Sequence, residues 1–360
     1  MARDLLVPGT GGTKLLLDGD DIGWPGELTV AGWLAKQQAL SLGFEALGAK
    51  YGSPENIGKV LSLQYGDDPM ETTPLKTTLW PNGNITPGPE LHLVYNQFGG
   101  FQPFLYDWRQ DIRRSADQLL KTLTGSPGER WRIVCHSQGG LVVVAAAYKF
   151  AEDNGNDDRA FARLVSHVAF IAVPFHGTVM AADAFINGET LAGPVADTFK
   201  QVARTWPALY QMLPTWLGSV KTAVAGGDEV TDQTNLLADA PWAGQQLIPS
   251  MLERARKTRP SLRAPMAYLN GINKRIFQSR AHPTPDHVVR DGGKLRVAGK
   301  VAGDTLVPDD ITRRMGGALQ SQLTLSFGQL EGPGSGGTMV HSAMAVDPNV
   351  ASAVKDFFQQ

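Results

Sequence analysis

The chain has 360 residues, 42% of them hydrophobic and 19% charged, with a formal net charge of −2. Near balance of charge leaves no electrostatic footprint for nucleic acid, and a chain of this size suits one large core with a cap better than two independent domains. The single cysteine, Cys135, excludes an intramolecular disulfide, so packing must supply the stability.

The N-terminal M-A-R-D runs straight into an apolar strand and leaves no room for a signal peptide. As numbered, the chain is expected to be cytoplasmic, with a secreted mature form as the alternative. No apolar run approaches the roughly 18 residues of a spanning helix, so no transmembrane segment is expected.

Leu5 to Thr13, L-L-V-P-G-T-G-G-T, reads as an apolar strand that breaks into a glycine-rich turn. Gly9, Gly11 and Gly12 let the backbone approach a ligand with no Cβ in the way. The turn lacks the G-K-[ST] ending of a phosphate-cradling loop and the G-x-G-x-x-G spacing, so no nucleotide cofactor is expected. Residues 14–100 then form a long insertion with Trp24, Trp33, Trp80, many Gly and Pro turns and a helical stretch over Val30–Leu47. Exposed tryptophans there would touch lipid; buried ones would pack a small subdomain.

After the insertion, Tyr106-Asp107-Trp108-Arg109 leads into a helix in which Ile112, Ala116, Leu119, Leu120 and Leu123 recur at helical spacing and which Gly125 ends. Asp107 and Arg109 read as an ion pair that fixes a strand end, with substrate contact as the alternative.

Trp131 to Gly140, W-R-I-V-C-H-S-Q-G-G, is a short apolar strand running into Ser137 and then into an apolar helix. This is the pattern of a nucleophile elbow, in which a serine on a strained strand-to-helix turn projects its hydroxyl away from the sheet. Cys135 stands in the first glycine position of G-x-S-x-G, where a small side chain fits, and Gly139 keeps the second. Cys135 as nucleophile with His136 as its base is the competing reading, which burial of the thiol disfavours. Strand 131–135, helix 139–153 and strand 167–173 alternate as β-α-β, which implies an α/β fold with a doubly wound, mostly parallel sheet.

Residues 179–262 lose strand character and show helical runs such as Val195–Arg204 and Leu247–Arg256. They read as a helical cap, or lid, with the core formed by 1–178, including the insertion, and 263–360. Trp206, Met212, Trp216 and Trp242 fit an apolar acyl-binding wall or ordinary helix packing. The chain is expected to return to the sheet near Ala264. His282, Asp286 and His287 have a metal-ligand look, but Pro283 and Pro285 make the segment a loop without a fourth ligand at proper spacing, and no metal is expected.

Hydrolases built on this elbow carry their partners in the order Ser, acid, His. Of the seven histidines, His341 fits the base: it follows the strand-like Leu323–Phe327 and the glycine-rich Gly332–Gly337, just ahead of a final helix opened by Asp347-Pro348. Asp304, in the turn where K-L-R-V-A-G-K-V-A ends, fits the acid. Asp309 and Asp310 read as solvated turn or N-cap residues, and Asp291 as part of a hairpin turn. His341 would take the Ser137 proton while Asp304 holds the imidazole. The N–H groups of Gln138 and Thr10 would form the oxyanion hole. Gly9, His136, His176 and Trp206 are further candidates for substrate binding; for His176 the alternative is a hydrogen-bonded turn.

Six segments in order resemble the lecithin:cholesterol acyltransferase-like branch of the α/β-hydrolases with its bacterial lipase and esterase relatives: V-P-G-T-G-G-T, Y-D-W-R, C-H-S-Q-G-G, V-P-F-H-G-T at Val173 to Thr178, W-P-A-L-Y-Q-M-L-P at Trp206 to Pro214, and G-D-T-L-V-P, which departs from that family's G-D-G-T-V-P. The resemblance implies an α/β-hydrolase fold and a serine esterase or lipase that cleaves carboxylic esters of apolar acyl groups with water as acceptor, without a cofactor. Its partner would be a small-molecule or lipid ester, with peripheral contact at a lipid interface. An acyltransferase or phospholipase would use the same triad. A catalytically silent lipid-binding module has no need of all three triad residues.

Overall fold

The computed structural model describes residues 3–17, 20–21, 61–63, 85–91, 93–126, 128, 130–188, 196–224, 227–258, 266–309, 324–327, 341 and 343–360. The helix expected over Val30–Leu47, the three insertion tryptophans, Asp310 and the Gly332–Gly337 stretch lie outside them.

In chain order the strands are β1 Arg3–Val7, β2 Thr13–Leu17, β3 Asp20–Asp21, β4 Ile85–Leu91, β5 Gln102–Pro103, β6 Trp131–His136, β7 Val165–Ile171, β8 Val220–Ala223, β9 Glu229–Thr231, β10 Asn273–Ser279, β11 His282–Thr284, β12 His287–Asp291, β13 Lys294–Ala298, β14 Val301–Gly303 and β15 Thr324–Phe327. The helices are α1 Ile112–Thr124, α2 Gln138–Asp153, α3 Val179–Ile186, α4 Ala196–Ala203, α5 Pro207–Gln211, α6 Pro249–Thr258, α7 Ala343–Val346 and α8 Pro348–Phe357.

Six of these strands form the central sheet, in the order β15-β10-β7-β6-β1-β5, with every neighbouring pair parallel. Alternation along the strands explains the layers. Leu5, Val7, Ile133, Cys135, Val168 and Phe170 join one hydrophobic cluster with Leu119 and Leu123 of α1 and Leu141 to Ala147 of α2. Leu6, Val134, Ala169, Ile171 and Phe277 join a second with Met344, Val350, Val354 and Phe357 of α7 and α8. Successive side chains of a strand point to opposite faces, so these sets cover the two sides of one sheet. Each large apolar side chain buried this way contributes roughly 1.5–3 kcal/mol.

Helix ends follow the sequence signals. Asp111 caps α1 by accepting from the Arg113 N–H, and Asp347, ahead of Pro348, caps α8 by accepting from Asn349 and Val350. Gly292 and Gly293, both at positive φ (52° and 83°), make the two-residue turn between β12 and β13.

The structure departs from expectation outside the central sheet. The 179–262 region carries α3 to α6 but also β8 and β9, which form a four-stranded sheet with β12 and β13. These strands have only four and three residues and half-exposed faces, too short for a periodic signal. The stretch read as one strand, K-L-R-V-A-G-K-V-A, is two, broken by Gly299 at φ 82°, and neither joins the central sheet. Among the described residues the chain rejoins that sheet at Asn273 with β10; Ala264, where the return was expected, lies outside them. Asp309, expected in solvent, is buried, accepting from the Gln278 amide and paired with Arg280 at 3.0 Å. No helix among the described residues is long and apolar enough to cross a membrane.

Candidate active site

Ser137 sits between β6 and α2 with φ 51° and ψ −128°, a backbone conformation that costs an L-residue on the order of 1–3 kcal/mol. The surroundings impose it. The Ser137 N–H donates to the Ile171 carbonyl at 2.9 Å and its own carbonyl accepts from Gly140 at 3.0 Å. A Cβ on Gly139 would run into the carbonyls of Val7 and Pro8, and one on Gly140 into the Val173 side chain, so helix α2 packs against the sheet only because both are glycine. Cys135 is fully buried, its thiol donates to the Ala169 carbonyl at 3.4 Å, and burial pushes its pKa well up. A thiol in that state is packing rather than nucleophile.

The structure brings Ser137, His341 and Asp304 into one hydrogen-bonded line. Ser137 Oγ lies 2.8 Å from His341 Nε2, and His341 Nδ1 lies 2.8 Å from Asp304 Oδ2. Asp304 is 1% and His341 6% exposed. Asp304 accepts on its other oxygen, Oδ1, from the N–H groups of Leu306 at 2.9 Å and Val307 at 2.7 Å. That leaves Oδ2 for the imidazole, which fixes the ring as Nδ1–H with Nε2 free to accept the serine proton.

The acid turn is built by small features of the sequence. Asp304 follows β14 of the two-stranded β11–β14 sheet. Gly303 bridges to Pro308, and a Cβ on Gly303 would meet Thr284 Oγ1 and the Val307 carbonyl at 2.5 Å. Thr305, at φ 84°, donates its N–H to Thr284 Oγ1 at 2.9 Å. Thr178 ties the turn to the start of α3 by donating its hydroxyl to the Leu306 carbonyl. The His341 N–H donates to the Asp304 carbonyl at 2.8 Å, so the two residues are joined through backbone as well as side chain.

The glycine turn after β1 closes on the elbow. Gly12 N–H donates to the Gly9 carbonyl at 2.9 Å, and Thr10 Oγ1 donates to Gln138 Oε1 at 2.6 Å. The Gln138 amide in turn donates to the Trp108 carbonyl at 2.8 Å, so its oxygen faces Thr10. Gln138 is the first residue of α2, where an N–H has no intrahelical acceptor and the helix favours negative charge. Gly9 offers no such donor, because its N–H is held by Tyr95 Oη at 2.8 Å. It is glycine for room: a Cβ there would come within 2.8 Å of the Ser137 Cβ.

The three other candidates, His136, Trp206 and His176, have these surroundings. His136 is 4% exposed with both ring nitrogens engaged, by Tyr95 Oη at 2.9 Å and the His341 carbonyl at 3.2 Å, so the substrate role expected of it gives way to a structural one. Trp206 is buried edge-on against Trp108 at 5.2 Å and donates its indole N–H to the Leu61 carbonyl at 3.0 Å, which places it in the core rather than on an acyl-binding wall. His176 is half-buried in the turn between β7 and α3, and its carbonyl accepts from Thr215 N–H at 3.1 Å. Asp107 and Arg109 make a bidentate pair at 2.9 and 2.7 Å. Both ring nitrogens of His287 meet carboxylates, Asp286 at 2.7 Å and Glu229 at 2.9 Å. Tyr95 carries no periodic or motif signal in the sequence, and Thr178, though it ends the V-P-F-H-G-T segment, was given no role there.

No protein-family profile matches the chain, and no curated protein matches it by sequence. Among solved structures, a chain of the Tle4–Tli4 complex aligns over 99% of this chain and 98% of its own length, at 12% identity and a TM-score of 0.54. E-2-(acetamidomethylene)succinate hydrolase aligns over 74% of this chain and 85% of its own, at 14% identity and a TM-score of 0.32. The phospholipase PlaB from Legionella pneumophila aligns over 78% of this chain and 39% of its own, at 14% identity and a TM-score of 0.29. The first likeness is one of fold, and the other two are too distant to argue from. With its parallel sheet, helices on both faces and strand-to-helix elbow, the chain has the α/β-hydrolase fold.

Proposed function

We propose that this protein is a serine hydrolase of carboxylic esters, with Ser137 as nucleophile, His341 as general base and acid, and Asp304 as the carboxylate that orients and charge-balances His341. The observation that carries the reading is the continuous line from Ser137 Oγ through both ring nitrogens of His341 to Asp304, with both links at 2.8 Å, ending on a serine held at positive φ. His341 Nε2 takes the hydroxyl proton as Oγ forms a bond to the ester carbonyl carbon. The carbonyl oxygen becomes an oxyanion facing the N–H groups of Gln138 and Thr10. The bond to the alcohol oxygen then breaks as His341 returns the proton to it, leaving an acyl-enzyme. Water adds by the same steps in reverse and frees the acid and Ser137.

The apolar acyl group, and membership of the lecithin:cholesterol acyltransferase-like branch, rest on the six-segment resemblance alone. The division into a core of residues 1–178 and 263–360 and a cap over 179–262 belongs to the same proposal. In it the buried ion pair of Arg254 in α6 with Asp111 at the start of α1 docks the cap on the core. The test is hydrolysis of a chain-length series of nitrophenyl esters by wild type and Ser137→Ala, with phospholipid or emulsified triglyceride as competitor. Activity that vanishes in Ser137→Ala, with long-chain preference and competition by lipid, is the expected result. Equal activity in the two proteins would overturn the assignment of Ser137.

A further inference from the structure

A second hydrogen-bonded chain crosses the site and uses none of the three residues' reacting atoms. The Gly9 N–H donates to Tyr95 Oη at 2.8 Å, Tyr95 Oη lies 2.9 Å from His136 Nδ1, and His136 Nε2 lies 3.2 Å from the His341 carbonyl oxygen. Its direction follows from what each atom can do. A carbonyl only accepts, so His136 carries its proton on Nε2. Burial, with His341 nearby, lowers the His136 pKa to about 3, so the ring is neutral and Nδ1 is an acceptor. Tyr95, whose own ionisation burial pushes up, therefore donates its hydroxyl hydrogen to Nδ1 and accepts from Gly9 on its oxygen.

The two ends of this chain are the two loops that must keep a fixed spacing around Ser137. Gly9 immediately precedes Thr10, the proposed oxyanion donor. His341 has its backbone N–H on the Asp304 carbonyl at 2.8 Å and its backbone carbonyl on His136, so its peptide groups are held from both sides. Tyr95 also closes over the glycine turn, where a Cβ on Gly12 would approach its ring to 2.9 Å. The middle of the chain, His136, is the residue just before the nucleophile. We infer that Tyr95 and His136 are positioning residues that lock the oxyanion loop to the loop of the base, an inference that rests on the hydrolase reading above.

Both side chains are buried with their polar atoms engaged within the protein, so their loss is expected to affect the chemical step rather than ester binding. A misplacement of about 1 Å at a reacting group costs on the order of 100-fold in rate. Tyr95→Phe removes one oxygen and keeps the ring; we expect kcat on a nitrophenyl ester to fall roughly 10- to 100-fold with KM within about two-fold of wild type. His136→Ala should lose at least as much. His136→Gln, whose amide can accept from Tyr95 and donate to the His341 carbonyl, should recover to within about five-fold of wild type, a rescue that mere filling of space does not produce. Nitrogen-15 spectra of the wild-type ring should show His136 as a neutral, Nε2-protonated imidazole that does not titrate as pH falls from 8 to 5. A Tyr95→Phe enzyme with wild-type kcat, or a His136 that titrates in that interval, overturns the inference and leaves the hydrolase reading standing. A wild type that neither hydrolyses esters nor forms a phosphonate adduct at Ser137 overturns the reading, and the positioning role falls with it.

Discussion

The imidazole of His136 lies 5.0 Å from that of His341, centroid to centroid, tilted by 41°. The two rings have opposite assignments because of what faces them. His341 has Asp304 on one nitrogen and Ser137 on the other. His136 has a tyrosine hydroxyl and a carbonyl, and burial keeps it neutral. Only one of two adjacent histidines can then compete for the serine proton.

That asymmetry predicts a pH dependence of stability. In the unfolded chain His136 binds a proton near its usual pKa of 6.5, whereas in the folded protein it does so only near about 3. Between these values the unfolded state holds more protons, so stability falls as pH drops through that window and is unaffected by this residue above it. At pH 5 the loss attributable to His136 is about 2 kcal/mol relative to pH 7.5. Denaturant titrations of wild type and His136→Gln at the two pH values should differ by that amount in their pH sensitivity.

Asp304→Asn keeps the shape of the acid turn but replaces an acceptor toward His341 Nδ1 with an amide. The two backbone N–H groups of Leu306 and Val307 favour the amide oxygen on their side, which turns the NH2 toward the imidazole and forces the wrong tautomer. We expect kcat to fall by about 10⁴ with KM little changed, as in other serine triads, measured on the same nitrophenyl ester.

Gly9→Ala would place a methyl group within 2.8 Å of the Ser137 Cβ and 3.2 Å of His136 Nδ1. Overpacking at such a junction costs about 1–3 kcal/mol in stability, and the displaced parts here are Ser137, the proposed nucleophile, and its neighbour. The variant should therefore lose activity out of proportion to its loss of stability, which parallel denaturation and rate measurements would show.

Asp111 is buried with Arg254 and caps α1. Burial pushes its carboxyl pKa up, but Arg254 and Arg113, with a Gln211 hydrogen bond, outweigh it and hold the group below its usual value. Arg254→Leu removes the larger of its two charge partners, leaving Arg113 at 3.5 Å, and should cost up to roughly 3 kcal/mol of unfolding free energy at neutral pH. The deficit should shrink in acid, where Asp111 of the variant is protonated.

The strand-to-helix elbow was legible because its determinants are local: a strand, a positive-φ serine and the two glycines that let α2 approach Val7, Pro8 and Val173 all lie within a short stretch of chain or face it. Asp304 was legible as a turn residue, but its support was not. That support is a two-stranded sheet whose partner, Thr284, is 21 residues away from Thr305. Tyr95 reaches His136 across 41 residues from a short 3-10 turn with no periodic pattern. Asp309 looked solvated because its partner Gln278 comes from β10, 31 residues earlier. Trp206 carried an aromatic signal equally suited to a pocket or a core, and only the positions of Trp108 and Leu61 decide it.

As an activated nucleophile, Ser137 should react with an alkyl phosphonate, and mass spectrometry of the treated protein reads that reaction. One adduct per chain is expected, on the peptide that contains Ser137, absent in Ser137→Ala and formed far more slowly in His341→Ala. A folded wild type that takes up no phosphonate, or an adduct that persists in Ser137→Ala, would contradict the assignment of Ser137.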